Sequence, residues 1–312
     1  MIDFFYKLYV SIADENHLLK KIRFYSMLRY IIRNIANVVL PLYFKFTQND
    51  TRYRLLLHND KENRLIVSLT SFPARIEKLW LVIETLLRQS KKPDMIILWL
   101  SKEQFRNLEC LPSQLLKQQS RGLIIRLVDG NIRSHKKYYY TLKEYPNDVL
   151  ITADDDIFYQ KHWLKSLSDN YQLYPDAVIC SYGFRIEHDK NHILKKYGEW
   201  KYANKYDENV FFGTGGGVLF PSGCFYKDVI NIDLALQLCP LADDIWLNTM
   251  VRLNGDRIIK ISSVNVFLPV LNNNRTTLSS VNLFKGYNDT QLNNIISYYE
   301  NVVHFNPYEF AK

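Results

Sequence analysis

The chain has 312 residues (37.0 kDa), of which 47% are hydrophobic and 23% charged. That composition supplies apolar material for one large domain with extensions and excludes a mostly disordered chain. The formal charge of +8 and the pI near 9.1 leave three classes of partner open: nucleic acid, an anionic membrane surface, or a phosphate-bearing substrate. Cys110, Cys180, Cys224 and Cys239 have no CxxC spacing and no His-rich companion, so a zinc site is not expected and reduced, mostly buried thiols are.

No run reaches the roughly 18 apolar residues needed to span a bilayer. The N-terminus lacks a basic segment followed by a clean apolar one and a cleavage site, so the expectation is no export and a cytoplasmic chain. Residues 1–62 read as a basic, aromatic-rich helical extension, and 63–312 as the main domain. Between Leu18 and Lys45 stand Lys20, Lys21, Arg23, Arg29, Arg33 and Lys45, with no Asp or Glu. Leu19, Ile22, Met27, Ile31 and Ile35 recur at helical spacing among them, over Leu18 to Val39. Two readings fit: an amphipathic helix lying on an anionic membrane surface, or a helix packed on the main domain with a solvated basic face. Gln48 to Asn63 is mostly polar and reads as a linker or an exposed loop.

From Leu65 the pattern changes to short apolar runs alternating with helical ones. LIVSL reads as a buried strand running into the loop TSFPAR, and Ala74 to Gln89 as a helix. MIILWL is a second strand and Leu123 to Val128 a third. Tyr138 to Lys143 is a short helix, Val149 to Thr152 a fourth strand, Trp163 to Leu173 a helix and Ala177 to Tyr182 a strand. Strands alternating with helices predict an α/β fold with a doubly wound, mostly parallel sheet. Ligands of such sheets bind beyond the carboxyl ends of the strands, which singles out the loops TSFPAR, VDGNIRSHKK and ADDD.

Asp154, Asp155 and Asp156 directly follow the fourth strand. Three adjacent carboxylates repel one another and are costly at a strand end without a cation. In extended backbone Asp154 and Asp156 point to one side and Asp155 to the other. That offers two oxygen ligands to Mg²⁺ or Mn²⁺, with room for diphosphate oxygens; the bland alternative is a solvated acidic loop. Asp243 and Asp244 open a further apolar helix. They are either first-turn acids favoured by the helix dipole or a general base for an acceptor hydroxyl. Gly213 to Gly217 are not followed by a helical pattern, which rejects a phosphate-binding fingerprint, and they read as a substrate-facing loop whose alternative is a tight hairpin. Arg133, His135, Lys136 and Lys137 follow the third strand, either as diphosphate contacts or as a solvated basic loop.

The order VSLTSFPARI, PDMIILWL, LVDGNIRSHKKYYYTLKEYPNDVLITADDDIFY, GTGGGVLFP and CPLADDIWL resembles bacterial glycosyltransferases of the family 2-like, GT-A group, many of which build lipopolysaccharide or capsule. The resemblance spans roughly Leu65 to Leu271. It implies a GT-A-type fold in which Asp154 to Asp156 stand in the place of the DxD motif that holds metal and nucleotide, with Asp154 and Asp156 as metal ligands. It implies that Thr70, Ser71, Pro73 and Arg75 cradle the nucleotide, that Asp129 contacts the nucleoside, and that Lys136, Lys137, Gly215 and Gly216 face the nucleotide sugar. Asp243 and Asp244 look like the acidic pair that supplies the base of inverting members. No QxxRW signature is present, so transfer of a single sugar is implied. The implied partners are a nucleoside-diphosphate sugar, a glycan or lipid-linked glycan acceptor and an anionic membrane surface, with no nucleic acid. His304 is a weak candidate for a third metal ligand. The rival readings are a sugar nucleotidyltransferase, whose first strand would normally be followed by a glycine-rich loop that TSFPARI lacks, and a non-enzymatic module binding membrane or glycan.

Overall fold

The computed structural model describes residues 1–12, 24–56, 62–208, 210–272 and 286–309. Helices α1 (Ile2–Val10) and α2 (Phe24–Thr47) precede β1 (Leu65–Thr70), α3 (Pro73–Leu87), β2 (Met95–Ser101), α4 (Ser113–Lys117), β3 (Leu123–Val128), α5 (Lys136–Glu144) and β4 (Val149–Thr152). The chain continues through α6 (Trp163–Leu173), β5 (Ala177–Cys180), β6 (Gly183–Arg185), β7 (Lys201–Tyr202), β8 (Val210–Phe212), β9 (Val218–Phe220), α7 (Ile232–Leu238), α8 (Asp243–Asn254), β10 (Arg257–Lys260) and α9 (Tyr287–Val303).

Among the described residues, seven strands form one sheet in the order β10-β5-β9-β4-β1-β2-β3. Every pairing is parallel except those of β9, which runs antiparallel to both β4 and β5. The central strands β1, β2 and β4 are buried almost throughout, as expected of strands covered on both faces. A small antiparallel sheet, β7-β6-β8, carries an aromatic cluster beside the main one. The predicted α/β class, the first four strands and the helices between them are therefore present. The strand expected to run to Tyr182 stops at Cys180, and the chain then switches to the small sheet through β6.

Register positions the site. Ser68 pairs with Thr152 in the parallel β1–β4 ladder, and the same offset carries Ser71 opposite Asp155 just beyond the strand ends. Thr152 pairs with Val218 in the antiparallel β4–β9 ladder, which brings the glycine loop alongside the acidic one.

The N-terminal extension is part of the core. Ile2, Phe5 and Tyr6 of α1 and Ala36, Leu40 and Phe44 of α2 are buried in the same apolar cluster as β1 and α3. Arg88, at the end of α3, lies over the rings of Phe44 (4.8 Å) and Tyr53 (4.1 Å), so the segment read as a linker or exposed loop is tied down at Tyr53; residues 57–61 lie outside the described residues. The backbone of Leu55 adds a hydrogen bond to the Arg121 carbonyl (2.9 Å). Helix α2 runs through Pro41, where a helix normally breaks at a cost of about 3 kcal/mol. Burial of Leu40 and Phe44 on either side of the proline outweighs that cost. Residues 13–23, including Lys20, Lys21 and Arg23, lie outside the described residues. The four cysteines are free thiols, Cys110 exposed and the other three buried.

Because Leu40 is fully buried against the main domain, Leu40→Ala should lower the unfolding free energy by about 2–5 kcal/mol. The check is urea denaturation; an unchanged midpoint would mean that α2 is not part of the cooperative core.

Candidate active site

The site forms where the carboxyl ends of β1 and β4 meet the loop before β9 and the first turn of α8. Its centre is Lys137, whose ammonium is buried. It donates to Asp154 Oδ1 (2.8 Å) and Thr214 Oγ1 (3.1 Å) and pairs with Asp243 Oδ2 (3.1 Å). Burial alone would push the lysine towards neutrality. The two carboxylates outweigh that and hold it well above the usual lysine range, so it stays charged. Its own carbonyl accepts from Ser68 Oγ, whose oxygen also contacts Thr141 Oγ1 (2.8 Å) and accepts from Trp99 Nε1 (3.1 Å). The first turn of α5 is thereby fixed to β1 and β2.

The acidic triplet divides by burial rather than by strand alternation: β4 ends at Thr152, Asp155 and Asp156 lie in a turn, and both reach the same Arg75 nitrogen. Asp155 points inward, with a side chain 7% exposed; it accepts from Ser71 Oγ (2.7 Å) and pairs with Arg75 (2.6 Å). Asp154 and Asp156 stay partly open, at 36% and 31%. Arg75 also reaches Asp156 Oδ2 (2.9 Å). Burial, and next the neighbouring Asp154, push the Asp156 carboxyl up to about 7. The two open carboxylates thus repel each other, and Arg75 relieves only part of that repulsion.

Gly213 to Gly217 lie against this triplet. Tyr159 OH donates to the Gly215 carbonyl (2.8 Å) and accepts from the Asp154 amide (2.7 Å), and Trp163 Nε1 donates to the Gly216 carbonyl (3.0 Å). A side chain at Gly215 would collide with the Asp154 carboxylate. Gly217 has φ +99° and backs onto the Trp163 ring, so glycine is needed there twice over. The substrate-facing reading of this loop is compatible with that placement, and the loop is not a simple hairpin.

Asp243 and Asp244 begin α8, yet the Asp243 side chain does not cap the helix. It is buried against Lys137 and accepts from Thr214 Oγ1 (3.0 Å). Burial opposes its ionisation, but Lys137 and then His135 hold it below the usual carboxylate range. Asp244 is half-buried, and among the described residues its carboxylate accepts only the Ile245 amide (2.9 Å). Burial, then the Asp243 charge, push it up to about 7, with Asp154 adding to the rise. Tyr182 stands nearby: burial raises its pKa, with Tyr202, 5.9 Å away between ring centroids, and then Asp244 contributing. Phe267 packs edge-on to Tyr182 (5.2 Å).

Ser71, Arg75, Asp154, Asp155, Asp156, Lys137, Gly215, Gly216, Asp243 and Asp244 are therefore brought together, and Pro73 opens α3 beside them. Three predicted residues turn elsewhere. Thr70 Oγ1 donates to the Trp99 carbonyl (2.8 Å). Asp129 is exposed and paired with Lys102 (2.9 Å). Lys136 is buried but donates to Asn131 Oδ1 (2.8 Å), and burial lowers it to about 8. His135 is not a phosphate contact: it is buried, its pKa lowered by desolvation, with Nε2 2.9 Å from the Cys239 carbonyl. His304 ends α9 on the exposed surface. Thr214, Tyr159, Trp163 and Tyr182 were not singled out from the sequence.

The donor set at Asp154 and Asp156 fits a hard divalent cation: two partly open carboxylates with residual mutual repulsion. Among the described residues no group of three or more His, Cys, Asp or Glu is arranged to hold a metal, so the remaining ligands would be water or substrate oxygens.

No family model and no curated protein matches the chain. Solved structures do. One is the mannosyltransferase PcManGT from Pyrobaculum calidifontis in complex with GDP-Man and Mn²⁺, at 11% identity and TM-score 0.42, covering 89% of this chain and 77% of that one. Another is the 4-diphosphocytidyl-2C-methyl-D-erythritol synthase from Anaerococcus prevotii DSM 20548, at 15% identity and TM-score 0.41, covering 64% of this chain and 90% of that one. A likeness of this degree carries no argument about the reaction.

Removing Lys137 leaves two carboxylates facing each other, one of them buried. Lys137→Met should cost about 3–5 kcal/mol of stability, the scale for breaking a buried pair. Denaturant unfolding is the measurement; a loss below about 1 kcal/mol, as for an exposed pair, would deny the lysine its central role.

Proposed function

We propose that this chain is a divalent-cation-dependent glycosyltransferase. It moves one sugar from a nucleoside-diphosphate donor to a glycan or lipid-linked glycan hydroxyl, with inversion. The observation that carries the reading is that Lys137 bonds both Asp154 and Asp243, joining an open carboxylate pair to a second, differently tuned pair across a loop of glycines. Pairs of acids whose surroundings push their pKa values apart are a signature of acid–base chemistry. Asp243 is held ionised by Lys137, whereas Asp244 is pushed up to about 7 and, among the described residues, keeps one carboxylate oxygen without a protein partner.

Asp154 and Asp156 would hold Mn²⁺ or Mg²⁺, which when bound neutralises charge on the departing diphosphate. Lys137 fixes Asp154, and Arg75 fixes Asp155 and Asp156, so both open carboxylates are oriented in advance. Asp244 takes the proton of the acceptor hydroxyl as its oxygen bonds to the anomeric carbon. The bond from that carbon to the diphosphate oxygen breaks on the opposite face, and the nucleoside diphosphate leaves with the electron pair. Tyr182, Tyr202 and Phe267 form an aromatic wall near Asp244, suited to the apolar face of the acceptor sugar. The order of motifs further supports an acceptor of the kind assembled into cell-surface polysaccharide. The nucleotidyltransferase reading is weakened because the basic residue after β1, Arg75, is engaged by Asp155 and Asp156 rather than left free for a triphosphate.

Asp244→Asn should lower turnover about a hundredfold or more and leave the donor KM near that of the wild type, as expected for a lost general base. The assay is release of nucleoside diphosphate from a panel of nucleotide sugars with crude glycolipid acceptor. Normal turnover in Asp244→Asn would overturn the assignment of the base.

The same residue sets a pH dependence. Its folded pKa is raised from the usual carboxylate range to about 7, so the reactive carboxylate is lost as pH falls through that range. Turnover should drop about tenfold per unit below pH ~7. A profile flat from pH ~7 to ~5 would contradict a base with this pKa.

A further inference from the structure

Helix α2 presents an apolar face to solvent. Met27, Ile31, Ile35, Val38, Leu42 and Phe46 are all exposed, Val38 at 64% and Phe46 at 87%. Their spacings of three and four residues place them on one stripe of a helix about 36 Å long. Ala36, Leu40 and Phe44 occupy the opposite, buried face. The arginines do not lie on the outward face as the sequence suggested: Arg29 donates to the Ile12 carbonyl (2.6 Å), and Arg33 lies over the Tyr30 ring (5.3 Å). Two polar side chains share the stripe. Asn34 donates within the helix to the Tyr30 carbonyl (2.7 Å), and Lys45 is exposed. Helix α1 packs against α2 and adds exposed Phe4 and Leu8 with Lys7 beside them. Its one acid, Asp3, is turned to the protein and accepts the Lys161 amide (2.8 Å).

We propose that this ridge is a membrane-interface element: the outward face of α2 inserts into the boundary between headgroups and acyl chains of an anionic lipid monolayer, with Lys7 and Lys45 at headgroup level. The apolar stripe meets the acyl region and the lysines meet phosphates, the division of labour of a helix lying in the interface plane. A second copy of this chain is the poorer occupant. The exposed ridge carries Lys7 and Lys45, and its one acid, Asp3, is turned to the protein, so two such faces would meet with unpaired like charge. No described helix is long and apolar enough to cross a membrane, so the element lies on the surface rather than spanning it.

The ridge is rigidly joined to the candidate site. Asn37 donates to the Pro269 carbonyl (2.9 Å) and accepts the Leu271 amide (2.8 Å), and between them the Val270 amide donates to the Asp156 carbonyl (2.8 Å). A monolayer-bound α2 would therefore hold the acidic loop at a fixed distance from the lipid surface. The ridge itself does not rest on the glycosyl-transfer reading.

The test is co-sedimentation with vesicles of phosphatidylcholine alone and of phosphatidylcholine with phosphatidylglycerol, at low salt and at about 1 M salt, where charge attraction is screened. The wild type should bind the anionic vesicles and remain partly bound in high salt, because insertion of apolar side chains is not screened. The triple variant Val38→Ser, Leu42→Ser, Phe46→Ser should bind about tenfold less, a change of about 1.4 kcal/mol, with an unchanged melting temperature. Phe46→Ser alone, at a fully solvated position, carries the test should the triple variant not fold. Wild type left in the supernatant with both vesicle types, or variants that bind as well as it does, would overturn the proposal. So would a lipid-free dimer that the variants convert to monomer, since a second copy would then cover the ridge.

Discussion

A lysine ammonium held out of water must keep its charge paired, and in this chain that requirement organises the whole carboxyl edge of the sheet. Lys137 draws Asp154 from the end of β4, Asp243 from the start of α8 and Thr214 from the loop before β9 to within 3.1 Å of one atom. Three segments remote in sequence are thereby fixed to α5, which is itself bonded to Ser68 of β1. The glycines follow from the same constraint. The loop carrying Thr214 must pass so close to Asp154 that a side chain at Gly215 has no room. Tyr159 and Trp163 then hold its carbonyls in place. Asp154 and Asp156 remain the open, mutually repelling carboxylates, and Asp244 the one whose pKa is raised while its neighbour's is lowered. Sorting chemically identical side chains into distinct states by burial and pairing is what a catalytic site requires.

The extension obeys a second constraint. Arg88, set among the rings of Phe44 and Tyr53, anchors α2 on α3 and so decides which of its faces is buried. Small Ala36 allows close approach, and Leu40 and Phe44 fill the contact. What remains outside is a stripe of six large apolar side chains, an arrangement that water alone does not favour. The anchoring of the helix and its unsatisfied outer face thus have one origin.

Much of the fold was legible because its strands are short, continuous apolar runs closed by turn residues: LIVSL, MIILWL and VLIT each appear as strands. Strand alternation did not set the acidic triplet, since β4 ends before it; Asp155 is the buried member because Ser71 and Arg75 engage it, and Asp154 and Asp156 stay partly open. The choice for Asp243 between helix cap and site residue could not be made from spacing, because it turns on Lys137, more than a hundred positions away. Tyr159, Trp163 and Tyr182 carried no local signal either; aromatic residues in apolar runs look alike whether they fill a core or hold a loop. Lys136 and Lys137 are indistinguishable in sequence, yet one helical step sends the first to Asn131 and the second to the carboxylates. In α2 the helical period was evident but its phase was not, since apolar residues populate both faces and only the docking on α3 tells them apart.

Asp154 and Asp156, fixed by Lys137 and Arg75, are proposed as a cation-assisted site for a nucleoside diphosphate. Calorimetric titration of UDP and GDP into the protein, with and without Mn²⁺, tests it without knowledge of the sugar or the acceptor. At least one of the two should bind about tenfold or more tighter with Mn²⁺, a gain of about 1.4 kcal/mol or more, and folded Asp156→Ala should lose that gain. Equal affinity with and without the cation, or a gain that survives in Asp156→Ala, would contradict it.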